Sequence, residues 1–162
     1  MTIKQEQECL DSGNSDGCKV RGLHRQVISE GVATRTLLQG EANALCLFDR
    51  AAGVVYTLPP PVVGMQFEFA VSVTVTSNAH KIITDAATTF LLGEVFMYST
   101  ATASGAGFAA NGSTIRALSA NGSTTGGIIG ERYRVTAIST TQWLIEGVQV
   151  GSGTLATAFA TS

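Results

Sequence analysis

Residues Gly53–Asp85 read GVVYTLPPPVVGMQFEFAVSVTVTSNAHKIITD and carry the clearest structural signals of the chain. The run Met65–Thr76 alternates apolar and polar residues with the period of two that is typical of a half-buried strand. Three prolines from Pro59 onward precede this run, and proline lacks the amide hydrogen that a strand interior requires. The residues predicted to face the core are Phe67, Phe69, Val71, Val73 and Val75.

The segments on either side of this run complete the predicted centre of the fold. Val54–Leu58 is predicted to be a short strand that ends at the prolines. After the long run, residues 77–80 are typical of a turn, and Lys81–Thr84 is predicted to be the returning strand. The sequence therefore predicts a central hairpin.

The remaining chain contains further short strands separated by turn signals every 8–12 residues. Gly93 is expected to form a bulge or tight turn, and Thr100–Ala110 a surface loop. Asn111-Gly112 and Asn121-Gly122 are typical of hairpin turns, because both residue types tolerate positive φ. The other predicted strands are Thr34–Leu38, Ala44–Asp49, Thr88–Leu92, Glu94–Ser99, Thr114–Ser119, Tyr133–Ile138 and Gln142–Val148, the last two forming a hairpin.

These patterns predict an all-β fold, a compact antiparallel β-sandwich or barrel of jelly-roll-like type with about ten short strands. Residues 1–32 are expected to form an extended N-terminal arm, residues 33–150 the β domain, and residues 151–162 a C-terminal tail. Trp143 and Cys46 are predicted to lie in the core of the domain.

The composition limits the classes of partner. Charged residues make up only 14% of the 162 residues, against about 25% in an average protein, so we expect much of the surface to be covered by partners. The net charge of −2 argues against nucleic-acid binding, which requires a basic surface. No apolar run is long enough for a membrane helix, and the N-terminus lacks the apolar segment of a signal peptide.

The sequence also lacks a recognisable catalytic or metal-binding pattern. Cys9, Cys18 and Cys46 are odd in number and, with His24, miss the paired spacing of zinc sites, so neither a metal nor a cofactor is predicted. His24 is interpreted as a surface residue. His80 lies in the predicted hairpin turn without a matching nucleophile, so enzymatic activity is not expected.

The two terminal segments are the candidate partner-binding regions. The arm is charged and rich in turn residues, and it lacks the apolar periodicity needed to fold alone. It is either a flexible terminus or a segment that orders against a neighbouring subunit, where Lys19, Arg21 and Arg25 would meet acidic groups. In the tail, Leu155 and Phe159 are the large apolar residues that could attach it to a neighbour.

The order of features from Leu37 to Phe159 resembles small virion proteins of tailed bacteriophages, in particular head decoration (cement) proteins. The resemblance lies in LCLFDRAAGVVYTLP, VGMQFEFAVSVTVTSNAHKIIT, a GG-IIG step, a WLIEG strand and a tail ending AFATS. It implies a β-rich subunit on the outer capsid surface of the virion, assembled in the host cytoplasm. It further implies a homotrimer that clamps neighbouring major capsid proteins.

A virion fibre or receptor-binding module that contacts a host surface is the alternative. A fibre is expected to contain a long shaft or heptads, and a receptor-binding head aromatic-rich loops; the sequence has neither, which favours the decoration protein. A β-sandwich hydrolase is disfavoured, because no catalytic pair is apparent.

Overall fold

The structure, a computed structural model, describes residues 25–162. This range contains twelve strands and a short 3-10 helix at Gln39–Glu41. In chain order the strands are β1 Val27–Ile28, β2 Thr34–Thr36, β3 Leu45–Phe48, β4 Val55–Thr57, β5 Gln66–Val71, β6 His80–Ile83, β7 Phe90–Ser99, β8 Gly105–Asn111, β9 Ala117–Ala120, β10 Arg132–Ala137, β11 Gln142–Gly151 and β12 Phe159–Ala160.

Two sheets form the molecule, a seven-stranded sheet of order β1-β3-β5-β10-β11-β7-β8 and a five-stranded sheet of order β12-β9-β6-β4-β2. Their inner faces share one hydrophobic core. Tyr56 of the smaller sheet lies with its ring centroid 5.4 Å from that of Phe48 and 5.6 Å from that of Phe69, both on the larger sheet. The all-β sandwich expected from the sequence is confirmed.

The strand directions differ from the expectation, because five of the ten strand pairings within residues 25–162 are parallel. From β1 to β6 the chain alternates between the sheets, with β1, β3 and β5 in the larger and β2, β4 and β6 in the smaller. Successive strands of one sheet are thus joined through a strand of the other, and such neighbours run parallel.

This alternation shows that the predicted central hairpin is wrong, since β5 and β6 belong to different sheets. After Val71 the chain turns towards the smaller sheet. The backbone N–H groups of Ser72 and Val73 both donate to the carbonyl oxygen of Phe48, at 3.1 and 3.0 Å, and that of Thr76 donates to Ala51 at 2.8 Å. These bonds tie the connection to the preceding one instead of forming a hairpin ladder.

The predicted core face of β5 is confirmed where the strand persists. Phe67, Phe69, Val71 and Val75 are buried. Val73 is only half-buried, because β5 ends at Val71 and the alternation of a strand no longer applies beyond it. Trp143 and Cys46 are completely buried, as the sequence predicted.

The C-terminal half contains the predicted last hairpin, since β10 and β11 pair antiparallel from Arg132 opposite Val148 to Ala137 opposite Trp143. β7 passes through Gly93 as one continuous strand, so the predicted interruption there is wrong. Gly93 is nevertheless a special position. Its φ is +127°, and a Cβ atom there would lie 2.1 Å from the carbonyl oxygen of Ile145 on β11.

Part of the predicted loop Thr100–Ala110 is a strand, β8, which pairs antiparallel with β7. The two Asn-Gly steps do not form hairpins, because each connects strands of different sheets. The side-chain oxygen of Asn111 accepts the backbone N–H of Thr114 at 2.9 Å, and that of Asn121 accepts the backbone N–H of Ser123 at 2.9 Å. The Asn side chain thus stabilises the turn locally, as in an Asx-turn.

Candidate interaction surface

Of the residues that sequence analysis proposed for partner binding, the structure describes Arg25, Leu155 and Phe159. Lys19 and Arg21 lie outside the described residues. Arg25 is held by its own chain: its Nη1 lies 2.6 Å from Glu68 Oε2, and its Nη2 donates to the carbonyl of Ala44 at 3.1 Å. The acidic group that meets Arg25 in this structure is therefore Glu68 of the same subunit.

The tail residues also pack within the subunit. β12 pairs with β9, and Phe159 is 8% exposed in the common core, so its side chain packs within its own subunit in this structure. Leu155 is half-buried over Gly151, where a Cβ atom would lie 2.4 Å from Leu155 Cδ2.

The outer face of the seven-stranded sheet, which points away from the core, carries a row of charges. Arg134 on β10 lies directly opposite Glu68 on β5 and Glu146 on β11. Its guanidinium is 3.3 Å from the Glu68 carboxylate and 3.1 Å from the Glu146 carboxylate. The hydrogen bond from Arg25, together with the charges of Arg25 and Arg134, lowers the pKa of Glu68. We call Arg25, Glu68, Arg134 and Glu146 the charge ladder.

A shallow groove runs along the charge ladder and encloses about 590 Å³. Its wall also includes Leu45, Arg132 and Val148, so it combines charged groups with apolar surface. The groove is open to solvent. Exposed ion pairs of this kind contribute little to folding stability, and their groups remain free to meet the charges of another molecule.

An apolar patch adjoins the charge ladder on the same face. Val148 of β11 lies beside Phe96 of β7, and Tyr98 follows two residues later. Their exposed fractions are 50%, 53% and 45%. Adjacent large apolar side chains on an open face are a signature of an interaction surface, whereas scattered ones are ordinary. We call Phe96, Tyr98 and Val148 the apolar patch.

His80 has a structural role and does not lie in a turn. It belongs to β6, is 1% exposed and packs against Phe48, with ring centroids 4.6 Å apart. Its Nδ1 accepts the backbone N–H of Val54 at 3.2 Å, and its Nε2 lies 3.0 Å from the carbonyl oxygen of Val73. Burial lowers the pKa of His80, so the neutral ring that bridges these two connections is favoured.

A second buried polar cluster surrounds Glu131, which is 1% exposed. Its carboxylate accepts the backbone N–H groups of Gly127 at 2.8 Å, Ile128 at 3.1 Å and Val150 at 2.8 Å, and the hydroxyl of Tyr133. Burial raises the pKa of Glu131, and burial beside this carboxyl raises that of Tyr133. The cluster fixes the connection before β10 against the end of β11.

The described part of the chain offers no metal site or membrane helix. Among residues 25–162, no group of three or more His, Cys, Asp or Glu side chains is arranged to hold a metal ion. The same residues contain no helix of the length and apolar character needed to cross a membrane.

Comparison of the chain with protein-family models, with curated proteins and with solved structures finds no match.

Sequence reasoning missed the apolar patch because it depends on which strands are neighbours. Phe96 and Tyr98 were placed on a strand, but their exposure follows from the order of β11, β7 and β8 in the sheet. The signal that was available is the alternation in residues 95–98, where two aromatic residues alternate with Val95 and Met97. Successive side chains of a strand point to opposite faces of the sheet, so one of these two pairs of residues had to point away from the core.

Proposed function

We propose that this chain is a capsid decoration (cement) protein of a tailed bacteriophage, a structural subunit without enzymatic activity. It binds the outer surface of the head and stabilises contacts between neighbouring major capsid protein subunits. The strand and turn order from Leu37 to Phe159 supports the proposal through its resemblance to such proteins, and the all-β fold agrees with the β-rich subunit which that resemblance implies.

The observation that carries the proposal is the outer face of the seven-stranded sheet, where the apolar patch adjoins the charge ladder. Each patch side chain is about half exposed. Covering one of them by a partner contributes about 1 kcal/mol, roughly half the value for burying a whole apolar side chain. The ladder next to the patch supplies directional polar contacts, so the face suits a protein partner with its own mixed surface.

The test is decoration of phage heads that lack this protein. We expect Val148→Lys to lower the occupancy of the heads, because it places a charge in the apolar patch. Val63→Lys is the matched control, since Val63 is also an exposed valine, at 65%, but lies outside the sheet. Equal occupancy for wild type and Val148→Lys, with unchanged melting temperatures, would overturn the assignment of this face.

The N-terminal arm is a second element of the proposal. We expect it to order against a neighbouring subunit or the shell, with Lys19 and Arg21 meeting acidic groups there. Arg25 is already paired with Glu68, so the informative deletion removes residues 1–24 and leaves Arg25 in place. This deletion should leave the melting temperature of the free protein unchanged and weaken binding to heads. Equal head occupancy would reduce the arm to a flexible terminus.

Self-association is also part of the proposal, and the resemblance implies a trimer. A particle mass of one subunit, both free and after release from heads, would contradict it. Binding of the free protein to host cells, without binding to heads, would instead favour the receptor-binding module.

A further inference from the structure

The four outer strands of the two sheets differ in how well they are protected against pairing with another chain. β1 and β12 have two residues each, and β2 has three, one of which is Arg35. β8 has seven residues, GAGFAAN, with neither a charge nor a proline. Natural proteins protect sheet edges by short strands, charged side chains or proline. Within residues 25–162, three edges of this sandwich are protected in these ways, and the β8 edge is not.

The backbone pattern of β8 shows which of its groups are free to pair. In the antiparallel ladder with β7, Ser99 donates its N–H to Ser104 and Gly112 donates to Leu91, so the even-numbered residues of β8 bond to β7. The N–H and C=O groups of Gly105, Gly107, Ala109 and Asn111 therefore point away from the sheet. All four of these residues are exposed.

We propose that β8 pairs antiparallel with β8 of a second copy of this chain, joining the two larger sheets into one continuous sheet across a two-fold axis. A second β8 is the fitting occupant because it has the same length, the same lack of charge and the same row of outward groups. An isologous pairing satisfies both edges at once. This inference concerns the free protein and does not depend on attachment to a capsid.

The two-fold axis fixes a register. Full overlap of the seven residues places the axis at Phe108, so that Gly107 lies opposite Ala109 of the partner copy and Gly105 opposite Asn111. The outward groups then form about eight backbone hydrogen bonds. Phe108 meets its own copy in a non-hydrogen-bonded pair, where side chains approach most closely. Phe108 already packs against the core, so the pairing extends the core across the axis.

The pairing also matters for the face described above. Phe96 lies opposite Gly107 on β8 and Tyr98 opposite Gly105. The two apolar patches therefore approach one another on the same side of the joined sheet and remain uncovered. The pairing works equally between two free subunits and between subunits of two different trimers of the kind that the resemblance implies.

The first experiment is a mass measurement by analytical ultracentrifugation of full-length protein. Ala109→Pro removes an outward N–H while leaving the bonds to β7 intact, a placement that edge strands tolerate. Ala109→Ser is the matched control that keeps the N–H. We expect an even number of subunits for the wild type and Ala109→Ser, and half that mass for Ala109→Pro. Equal masses for Ala109→Pro and the wild type would overturn the proposal.

The second experiment tests the register and does not depend on how the proline variant folds. Gly107→Cys and Ala109→Cys are made separately in a Cys9→Ser, Cys18→Ser background, in which the remaining Cys46 is fully buried. No atom lies within 4 Å of a Cβ built on Gly107, so the new side chain fits. Opposed residues have Cα atoms about 5.5 Å apart, within the range of a disulfide.

On mild oxidation, a mixture of the two cysteine variants should form disulfide-linked dimers faster than either variant alone. The same rate in all three samples would show that the copies do not pair in this register. No dimer in any sample, together with a wild-type mass of an odd number of subunits, would likewise overturn the proposal.

Discussion

Removal of the Glu131 carboxylate should be among the most destabilising single changes in this protein. Glu131→Ala leaves three backbone N–H groups and the Tyr133 hydroxyl without their acceptor in a buried position. An unsatisfied buried donor costs about 1–3 kcal/mol. We take the lower end of this range for each of the four donors, because water can enter the space that is left. The sum is a loss of about 4 kcal/mol. This is a large share of the roughly 5–15 kcal/mol by which a folded domain is stable.

Glu131→Gln keeps the shape of this side chain and replaces one acceptor oxygen by an NH₂ donor. The glutamine oxygen can still accept hydrogen bonds from the N–H groups of Ile128 and Val150. The NH₂ group faces the Tyr133 hydroxyl, which must then accept a hydrogen bond instead of donating one. We expect a loss of about 1–2 kcal/mol, because the amide NH₂ group donates where a carboxyl oxygen had accepted. Glu146→Gln is the control, because its carboxylate is on the surface. It should change the free energy of unfolding by less than about 0.5 kcal/mol.

The assay is urea unfolding followed by tryptophan fluorescence, since Trp143 is buried in the common core. Repeating it between pH 4 and pH 8 adds a second signature. The folded-state pKa of Glu131 is raised, so its stabilising contribution is complete at low pH and declines as the pH rises through that pKa. The difference between wild type and Glu131→Gln should therefore narrow with rising pH. A loss below about 1 kcal/mol for Glu131→Ala would refute the role of this cluster.

Three further predictions concern the core and its buried histidine. Phe69→Ala should lower the free energy of unfolding by about 3–5 kcal/mol, measured by urea titration, because its ring is completely buried; a near-neutral result would contradict the assigned core face of β5. Gly93→Ala should destabilise the fold strongly, since its Cβ would overlap the Ile145 carbonyl. The control Gly40→Ala should leave the melting temperature nearly unchanged, because no atom lies within 4 Å of a Cβ at that position. Similar effects of the two substitutions would exclude a steric cause. The pKa of His80 is lowered, so the stability that it contributes is present above its ordinary pKa and is lost as the pH falls through the lowered value. The His80→Gln variant should not show this loss of stability at low pH. Identical pH profiles for the variant and the wild type would show that His80 is not the source of the loss.

The sequence predicted what depends on one strand at a time. The alternation in Met65–Thr76 identified the buried face of β5, and the two runs around residues 139–141 identified the β10–β11 hairpin. In the first case the pattern lies within a single strand, and in the second the paired strands follow one another in the chain. The burial of Cys46 followed equally from its apolar surroundings.

What failed depends on pairing between distant segments. A turn that reverses the chain within one sheet and a turn that carries it to the opposite sheet use the same residue types, so the segment after Val71 and both Asn-Gly steps were interpreted as hairpins. β8 was missed because glycine and alanine have low strand propensity, and its pairing with β7 overrides that propensity. The burial of Phe159 in its own subunit was not predicted, because the two-residue strand β12 is too short to produce a periodic signal.

The alternation of β1–β6 between the two sheets has a consequence for production of the protein. Both layers grow together as the chain leaves the ribosome, because each strand of one sheet is followed by a strand of the other. One side of β5 nevertheless stays open until β10, far downstream, has been synthesised. Incomplete chains that expose an unpaired strand edge aggregate, and they do so more readily at higher concentration. Strong induction should therefore drive this protein into inclusion bodies, and weak induction should yield it in soluble form.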